Sequence, residues 1–480
     1  MGQGTQREEA PKVPKLPKYQ SAMQGYPEAV EYPEAVEDQE DPRSSPCSAG
    51  SGCGTASVRN GVPSPAEGDS SSGYPSEGAA PMIGGSSSSS GPRGGRGTDQ
   101  ADRNPRETVE TNLRHFHQFA EFVQIPDGQF TRLKGWKKTC LFGKVEKYRW
   151  ARPGEEEVLT VVKNMETVHV ETCRELAAND RVAWEFGMGS PEDAMNEIGV
   201  YKYFREQERT CRYVLQMHGS FRSETRTWLV LENCDGGDLF DWVERQRDAG
   251  LLNEQQIKRY VWQILKAVDF LHSHNVGHRD ISLENLLLRN GEVRLMDFGQ
   301  AVQLQDKDGR PYHYFRMSGK DYYRAPECYI PSSNTCPGLQ VQAMCPNGWT
   351  PGREVQVMGG GYLCLVSFPD NAVPGQSSVA SLCGYTVAPV DVFAIGVAFF
   401  ILHAQVQPWK QALLAIPNFR FVYQNGVKAL LEAFKKPHSR DLSDEASDLL
   451  TGMLHVYSAY RWTVQQCMES AWFADMEDDA

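Results

Sequence analysis

Within 22 residues the chain reads HRDISLEN, His278 to Asn285, and then LMDFG, Leu295 to Gly299. An Asn follows the Asp after five residues, and a DFG begins twelve residues beyond that Asn. So many defined positions in so short a span make chance a poor competitor, and the fold has to be built around them. Composition shows which part of the chain can do so. Residues 1–107 are rich in Ser, Gly, Pro and acids, and include SSSGYPSEGAAPMIGGSSSSSGPRGGRG from Ser70 to Gly97. Such a stretch buries too little apolar surface to offset its ordering entropy, so a disordered tail is expected over 1–107. Inside it YPEAVE occurs twice, at Tyr26 to Glu31 and Tyr32 to Glu37. One duplication falls far short of a solenoid. From about Thr108 the composition is globular.

The net charge of −13 argues against a nucleic-acid binder driven by phosphate contacts. Twelve cysteines in 480 residues lack the dense, even spacing of a secreted disulfide scaffold. A reducing, cytoplasmic setting is therefore expected. The first twenty residues are mostly polar and hold no apolar core of a secretory signal. The longest apolar run, Val392 to Leu402, is about half of what a bilayer needs, so it reads as a buried helix and no transmembrane segment is expected. Gly2 is what N-myristoylation requires, while Gln6 stands where Ser or Thr is favoured; a weak membrane attachment through Gly2 stays open.

The residue pattern orders the remaining elements. Glu107 to Val123 carries Leu113, Phe116, Phe119 and Ala120 at helical spacing. A β-rich stretch follows from Phe130 to Val162, then a helix from Pro191 to Phe204, two short strands around Val214 and Trp228, and mostly helices after that.

The HRDISLEN and DFG segments resemble the catalytic and metal loops of protein kinases. Phosphoryl transfer needs a carboxylate beside the attacking hydroxyl and two oxygen ligands for Mg2+. The resemblance implies that Asp280 accepts the hydroxyl proton and that Asn285 and Asp297 hold the metal, with His278 packing under the loop as a structural residue. Lys163, in VLTVVKNM, falls on the strand whose Lys pairs with the α/β-phosphates. Glu197 is its expected ion-pair partner, with Glu192 and Glu175 as alternatives. WLVLENCDGGDLFDWV, Trp228 to Val243, resembles the hinge between kinase lobes. It implies Leu231 as gatekeeper, Glu232 and Cys234 as backbone partners of adenine, and Asp238 as a ribose contact. APE stands at Ala325 to Glu327, with Arg461 placed to pair with Glu327, and Asp391 is expected to cap the catalytic-loop backbone. The implied fold is α+β and bilobal. A small β-rich lobe spans 108–230, and a mostly helical lobe spans 231–475 with a β-rich insert at 331–386. The resemblance also implies ATP and Mg2+ in the cleft and proteins as substrates.

Three departures stand out. Gly143 and Val145 fit the end of the Gly-rich loop, but Lys138 and Cys140 replace its two earlier glycines, which narrows the approach to phosphates. Ser282 stands where the catalytic loop usually has Lys, and Lys320, in SGKDYYRAPE, stands where many Ser/Thr kinases have Thr. This reciprocal change suggests a relocated cation, with Lys320 reaching the transferred phosphate. The third departure is the 63 residues between Glu327 and Asp391, far more than is usual. They contain a degenerate repeat, CPNGWTPG (Cys345 to Gly352) and FPDNAVPG (Phe368 to Gly375), and strand-like runs between. A small β-hairpin subdomain is expected. Cys336, Cys345, Cys364 and Cys383 lack a CxxC pair or a His, so zinc is not. Together these departures resemble the FIKK-type kinases of apicomplexan parasites, although Val161-Val162-Lys163-Asn164 replaces the signature.

The expected function is transfer of the ATP γ-phosphate to Ser or Thr hydroxyls of proteins. Two alternatives are a pseudokinase scaffold and a protein acting mainly by interaction through the insert and tail. Arg279 belongs to the class that binds an activation-loop phosphate, yet Arg316 aligns with the usual phosphorylated position, which implies that this control is missing.

Overall fold

The computed structural model describes residues 113–171, 193–247, 253–329, 340–434 and 442–476. The expected tail over 1–107, its YPEAVE repeat, Gly2, Glu175, Glu192 and Cys336 lie outside them.

The smaller lobe holds a six-stranded sheet with a helix packed against it. Its strands are β1 (Val123–Gln124), β2 (Phe130–Cys140), β3 (Gly143–Trp150), β4 (Val158–Glu166), β5 (Met217–Arg222) and β6 (Arg226–Glu232), in the order β1-β5-β6-β4-β3-β2. The strands alternate their faces. Val162 and Val230 turn outward under Tyr148, Trp150 and Phe221, where Phe130 stacks on Trp150 with centroids 5.0 Å apart. Met165, Leu229 and Leu231 turn inward toward helix α1 (Ala194–Arg205). The Asp193 carboxylate caps α1, accepting from the amides of Met195 (2.9 Å) and Asn196 (3.0 Å).

Of the helix expected over Glu107 to Val123, residues 107–112 lie outside the described residues; His115–Phe119 forms a 3-10 turn, and Val123 already belongs to β1. The three-residue spacing of Phe116 and Phe119 suits that geometry, because side chains at i and i+3 eclipse. Both rings reach Tyr203 on α1, at 5.6 and 5.0 Å. His117 Nε2 lies 2.6 Å from Asp193 Oδ2, so the turn also grips the cap of α1.

The larger lobe is helical: α2 (Leu239–Arg247), α3 (Glu254–Ser273), α4 (Val387–Ala404), α5 (Pro417–Ala433), α6 (Asp444–Met453) and α7 (Val464–Met468). The apolar run lies in α4. Among the described residues α4 alone is long and apolar enough to cross a membrane, but it is mostly buried, packed against α3 and α6. Short strands line the cleft side: β7 (Gly237–Asp238), β9 (Leu286–Arg289) and β10 (Glu292–Leu295) form one sheet, and β8 (Val276–Gly277) pairs with β11 (Val302–Gln303).

The insert is not a hairpin. β12 (Gln340–Met344), β13 (Glu354–Gly359), β14 (Tyr362–Ser367) and β15 (Ser377–Gly384) close into a four-stranded barrel, with β12 pairing with β15 along its length. An isolated hairpin would leave two open edges and too small a core; closure removes both problems. The two halves of the sequence repeat become the β12–β13 and β14–β15 loops. They meet at one end, where the Cys345 amide donates to the Gln376 carbonyl (2.9 Å) and the Gly375 amide to the Cys345 carbonyl (2.8 Å). Trp349 and Phe368, one from each half, pack edge to face at 5.8 Å.

Gly199 tests the grip of the 3-10 turn on α1. A Cβ there would lie 1.9 Å from the Phe116 carbonyl oxygen. In an exposed helix Gly to Ala gains roughly 0.5–1 kcal/mol. Here Gly199→Ala is expected to destabilise instead, by roughly 1–3 kcal/mol as overpacking does, measured by chemical denaturation. Removing the turn in the same chain should abolish that loss.

Candidate active site

The buried carboxylate of Asp391, on α4, organises the loop that follows β8. Its Oδ1 accepts from the Arg279 amide (2.8 Å) and its Oδ2 from the His278 amide (2.9 Å), with His272 Nε2 also 2.9 Å away. Arg279 takes a left-handed backbone, φ 68°. That conformation costs on the order of 1–3 kcal/mol in a non-glycine residue and persists only where the surroundings hold it. His278 is fully buried with both ring nitrogens engaged: Nδ1 accepts from the Asp280 amide (3.2 Å) and Nε2 donates to the Met296 carbonyl (3.0 Å). It spaces the loop and has no free nitrogen for acid–base work.

Asp280 and Asn285 lie side by side as a result. Asn285 Nδ2 donates to the Asp280 carbonyl (2.8 Å) and to Asp280 Oδ2 (3.1 Å), leaving the amide oxygen as the remaining polar atom. Asp280 Oδ1 is buried with no hydrogen-bond partner. Asp297 also has positive φ, 69°, and Phe298 tucks beneath α1, with its ring 4.9 Å from Tyr201 and 5.6 Å from Phe204. Asn196 fixes this segment by donating to the carbonyls of Phe298 and Ala301, both at 2.9 Å. The sequence reading missed Asn196. Helical spacing places it next to Glu197 but does not say that its amide reaches the loop a hundred residues on.

Lys163 Nζ meets Glu197 Oε1 at 2.6 Å. Val145, on β3, and Leu229, on β6, pair with Lys163, while Leu231 pairs with Val161, so Val145 and Leu231 share the inward face with Lys163. Gly143 has a packing reason for lacking a side chain: a Cβ would lie 2.2 Å from the Asn164 carbonyl oxygen. Lys138 pairs with Val145 and reaches across the cleft mouth to Asp238, 3.5 Å away. Asp238 Oδ1 meanwhile accepts from the Asp241 amide (2.8 Å) and starts α2. The Glu232 side chain is buried in an ion-pair cluster with Arg289 and Arg294 and accepts from the Gln216 amide (2.9 Å), tying the hinge to β9 and β10. This second role of Glu232 was not legible from the hinge motif. Burial pushes the Cys234 thiol up to about 12, which leaves it without thiolate chemistry at neutral pH.

Lys320 comes to the same place from the other side. Its Nζ donates to Ser282 Oγ (2.7 Å) and lies 3.3 Å from Asp280 Oδ2. Arg324 holds the turn that carries it, donating to the carbonyls of Ser318 (2.9 Å) and Gly319 (2.5 Å). Burial disfavours charge on Lys320, but Asp280, Glu284 and Asp297 outweigh it and raise its pKa. Burial likewise works against the Asp297 carboxylate, yet Lys163, Lys320 and His278 together hold it below the usual range. Two cations therefore act on one carboxylate at the floor of the cleft.

These residues fit ATP with Mg2+. Asn285 and Asp297 are hard oxygen donors, and Asp280 Oδ1 is an acceptor without a donor. Among the described residues no group of three His, Cys, Asp or Glu could hold a metal alone, so phosphate oxygens would complete the shell.

Burial is also the larger influence on Glu197, and it pushes the carboxyl up to about 7 from 4.5 against the pull of Lys163. A raised carboxyl contributes stability that is fully present below the unfolded value and lost as pH rises through about 7. Thermal stability is therefore expected to fall between pH 4.5 and 7 more steeply in the wild type than in Glu197→Gln. Parallel melting curves of the two would remove this assignment.

The sequence pattern of the protein kinase domain matches residues 157–339 and 380–473, more than half of the chain. The gap between the two stretches takes in β12 to β14 and the start of β15. CBL-interacting protein kinase 9 of Oryza sativa subsp. japonica is 35% identical over 174 residues, which cover 36% of this chain and 34% of that protein. Serine/threonine-protein kinase CHK1 of Saccharomyces cerevisiae is 31% identical over 172 residues, 35% of this chain and 29% of that one. Meiosis-specific serine/threonine-protein kinase mek1 of Schizosaccharomyces pombe is 25% identical over 289 residues, 58% and 51%. The chain thus spans about a third to a half of the length of these relatives. With the two lobes, the matched pattern and the loop geometry in agreement, the chain belongs to the protein kinase domain family.

Proposed function

We propose that this chain is an active serine/threonine protein kinase that transfers the γ-phosphate of ATP to hydroxyls of protein substrates. The observation that carries the reading is the joint arrangement of Asp280, Asn285 and Asp297 with the Lys163–Glu197 pair at 2.6 Å. The names of the relatives as serine/threonine-protein kinases support the same class. In this reading Asp280 accepts the proton of the attacking hydroxyl, using the Oδ1 that has no other partner. Asn285 and Asp297 hold Mg2+, which neutralises charge on the phosphates. Lys163, oriented by Glu197, binds the α/β-phosphates. Val145, Leu231 and the backbone of Glu232 and Cys234 enclose adenine, Gly143 borders the phosphates, and Asp238 reaches the ribose.

Lys320 is assigned the work of the missing catalytic-loop Lys. Its 2.7 Å bond to Ser282, the very position that lost the Lys, supports this. A cation beside the transferred group stabilises charge that develops in the transition state. The narrower resemblance to FIKK-type kinases rests on the degraded Gly-rich loop, Ser282, GKDYYRAPE and the Pro/Gly insert. Protein substrates, a cytoplasmic address and attachment through Gly2 are proposed from sequence.

The pseudokinase reading draws on Lys138 and Cys140 at the glycine positions, with Lys138 bridged to Asp238 across the cleft mouth. MgATP turnover on a generic protein substrate separates the two. Asp280→Asn is expected to cut turnover by roughly 10²–10⁴-fold. Asp297→Asn should remove nearly all turnover with circular dichroism unchanged. Wild-type rates in either folded variant would sink the assignment.

Lys320→Met is expected to lower kcat by roughly 10²–10³-fold with little change in ATP affinity. The combination Lys320→Thr with Ser282→Lys should recover part of the loss. Normal turnover in Lys320→Met would show that the Lys has no part in phosphate transfer.

A further inference from the structure

The barrel and Arg279 are left without a role in the reading above, and they meet at one point. Arg279 is a buried cation, 4% exposed. Among the described residues no carboxylate lies within ion-pair distance of it, and its Nε has no hydrogen-bond partner. A buried charge in that condition needs another source of stabilisation. Two aromatic faces supply it: the guanidinium carbon lies 5.2 Å from the Tyr314 ring centroid and 6.0 Å from that of Tyr385. Such contacts strengthen when shielded from water. One further bond runs from Arg279 to the Arg316 carbonyl, at 3.3 Å.

Tyr314 lies on the segment between DFG and APE. Tyr385 follows β15 directly, at the exit of the barrel. The two residues pair through their backbones in both directions, each amide donating to the other's carbonyl at 2.9 Å. Their hydroxyls extend the joint: Tyr314 donates to the Gln303 carbonyl and Tyr385 to the Arg316 carbonyl. The junction is tight. Gly384 has φ 77°, and a Cβ there would lie 2.5 Å from the Tyr314 carbonyl oxygen. The barrel is itself fastened to the lobe, because Gln356 on β13 accepts from the Ser458 amide (2.8 Å) and β14 packs against the turn that carries APE.

We propose that the barrel is a built-in brace for the DFG–APE segment, doing in cis and permanently what a phosphate on that segment does elsewhere, with Tyr314 and Tyr385 as positioning residues that clamp Arg279. Arg279 is the immediate neighbour of Asp280, and its amide is held by Asp391 on the other side. Clamping its side chain fixes the left-handed turn that aims Asp280. Arg316 at the usual phosphorylated position agrees with this, since a cation replaces the group the phosphate would occupy, while its carbonyl serves the clamp. This inference rests on the kinase reading and assigns its regulation: turnover requires the Tyr314–Tyr385 joint and requires no phosphorylation of the segment.

The experiment uses the full chain as purified without phosphatase, its phosphorylation state read by mass. Wild-type turnover is measured first; its absence would count against the kinase reading itself. If turnover is present, phosphatase treatment to the unmodified mass is expected to change it less than twofold. A tenfold loss on dephosphorylation of residues 300–324, restored by rephosphorylation, would overturn the brace. In the same assay Tyr385→Ala should lower kcat/KM for a peptide substrate at least tenfold while KM for ATP stays within twofold. Tyr385→Phe, which keeps the ring, should retain most of the activity. Gly384→Ala should resemble Tyr385→Ala. Full peptide turnover in folded Tyr385→Ala, or an equal loss of ATP binding, would refute the positioning role. The phosphatase arm decides the matter even if neither variant folds.

Discussion

One buried carboxylate carries the geometry of the candidate site. Asp391 sits in the second turn of α4, a helix with no other acid, and is fully shielded from water. A lone charge there would be costly, so it is stable only because two backbone amides and an imidazole converge on it. Those amides belong to His278 and Arg279, and the left-handed turn at Arg279 exists because they are held. Asp280 and Asn285 inherit their positions from that turn. Removing the carboxylate would leave unpaired amides and a strained backbone at once. The apolar helix thus acts as a rigid mount, and its single acid transmits the rigidity of the core to the cleft.

The cleft floor balances charge at short range. Lys163 answers Glu197, and Lys320 answers Asp280, while both act on Asp297. The usual arrangement draws its cations from one strand and one loop. Here the second cation comes from the turn before APE, and Arg324 secures that turn through its carbonyls. A charge held in place before the reaction needs no reorganisation during it. The same economy applies at Arg279, where two tyrosine rings take the place of an anion. Both devices depend on the DFG–APE segment being held, and the barrel is what holds it.

Much of this was legible in the residues. HRDISLEN, DFG and APE carry their own spacing, and the Lys163–Glu197 and Arg461–Glu327 pairs could be proposed from the resemblance to the kinase pattern. Arg461 does meet Glu327 in a buried two-point pair, at 2.6 and 3.1 Å. The reciprocal change at Ser282 and Lys320 could be noticed as a pattern, since each departs from the same familiar motif. Local composition also announced strands in the insert.

What stayed illegible depends on contacts between distant parts of the chain. Strand-like alternation says nothing of how edges pair, so a hairpin was expected where β12 and β15 meet to close a barrel. The 3-10 turn at His115–Phe119 exists because Tyr203 and Gly199 receive it, and periodicity alone favoured a longer helix. Asn196, the buried side chain of Glu232 and the clamp of Tyr314 and Tyr385 on Arg279 join residues separated by tens to more than a hundred positions. The sequence by itself determined the class of chemistry and the residues able to perform it, because motif spacing is local. Only the tertiary structure decided which groups steady them, because burial and close approach arise when separate elements pack.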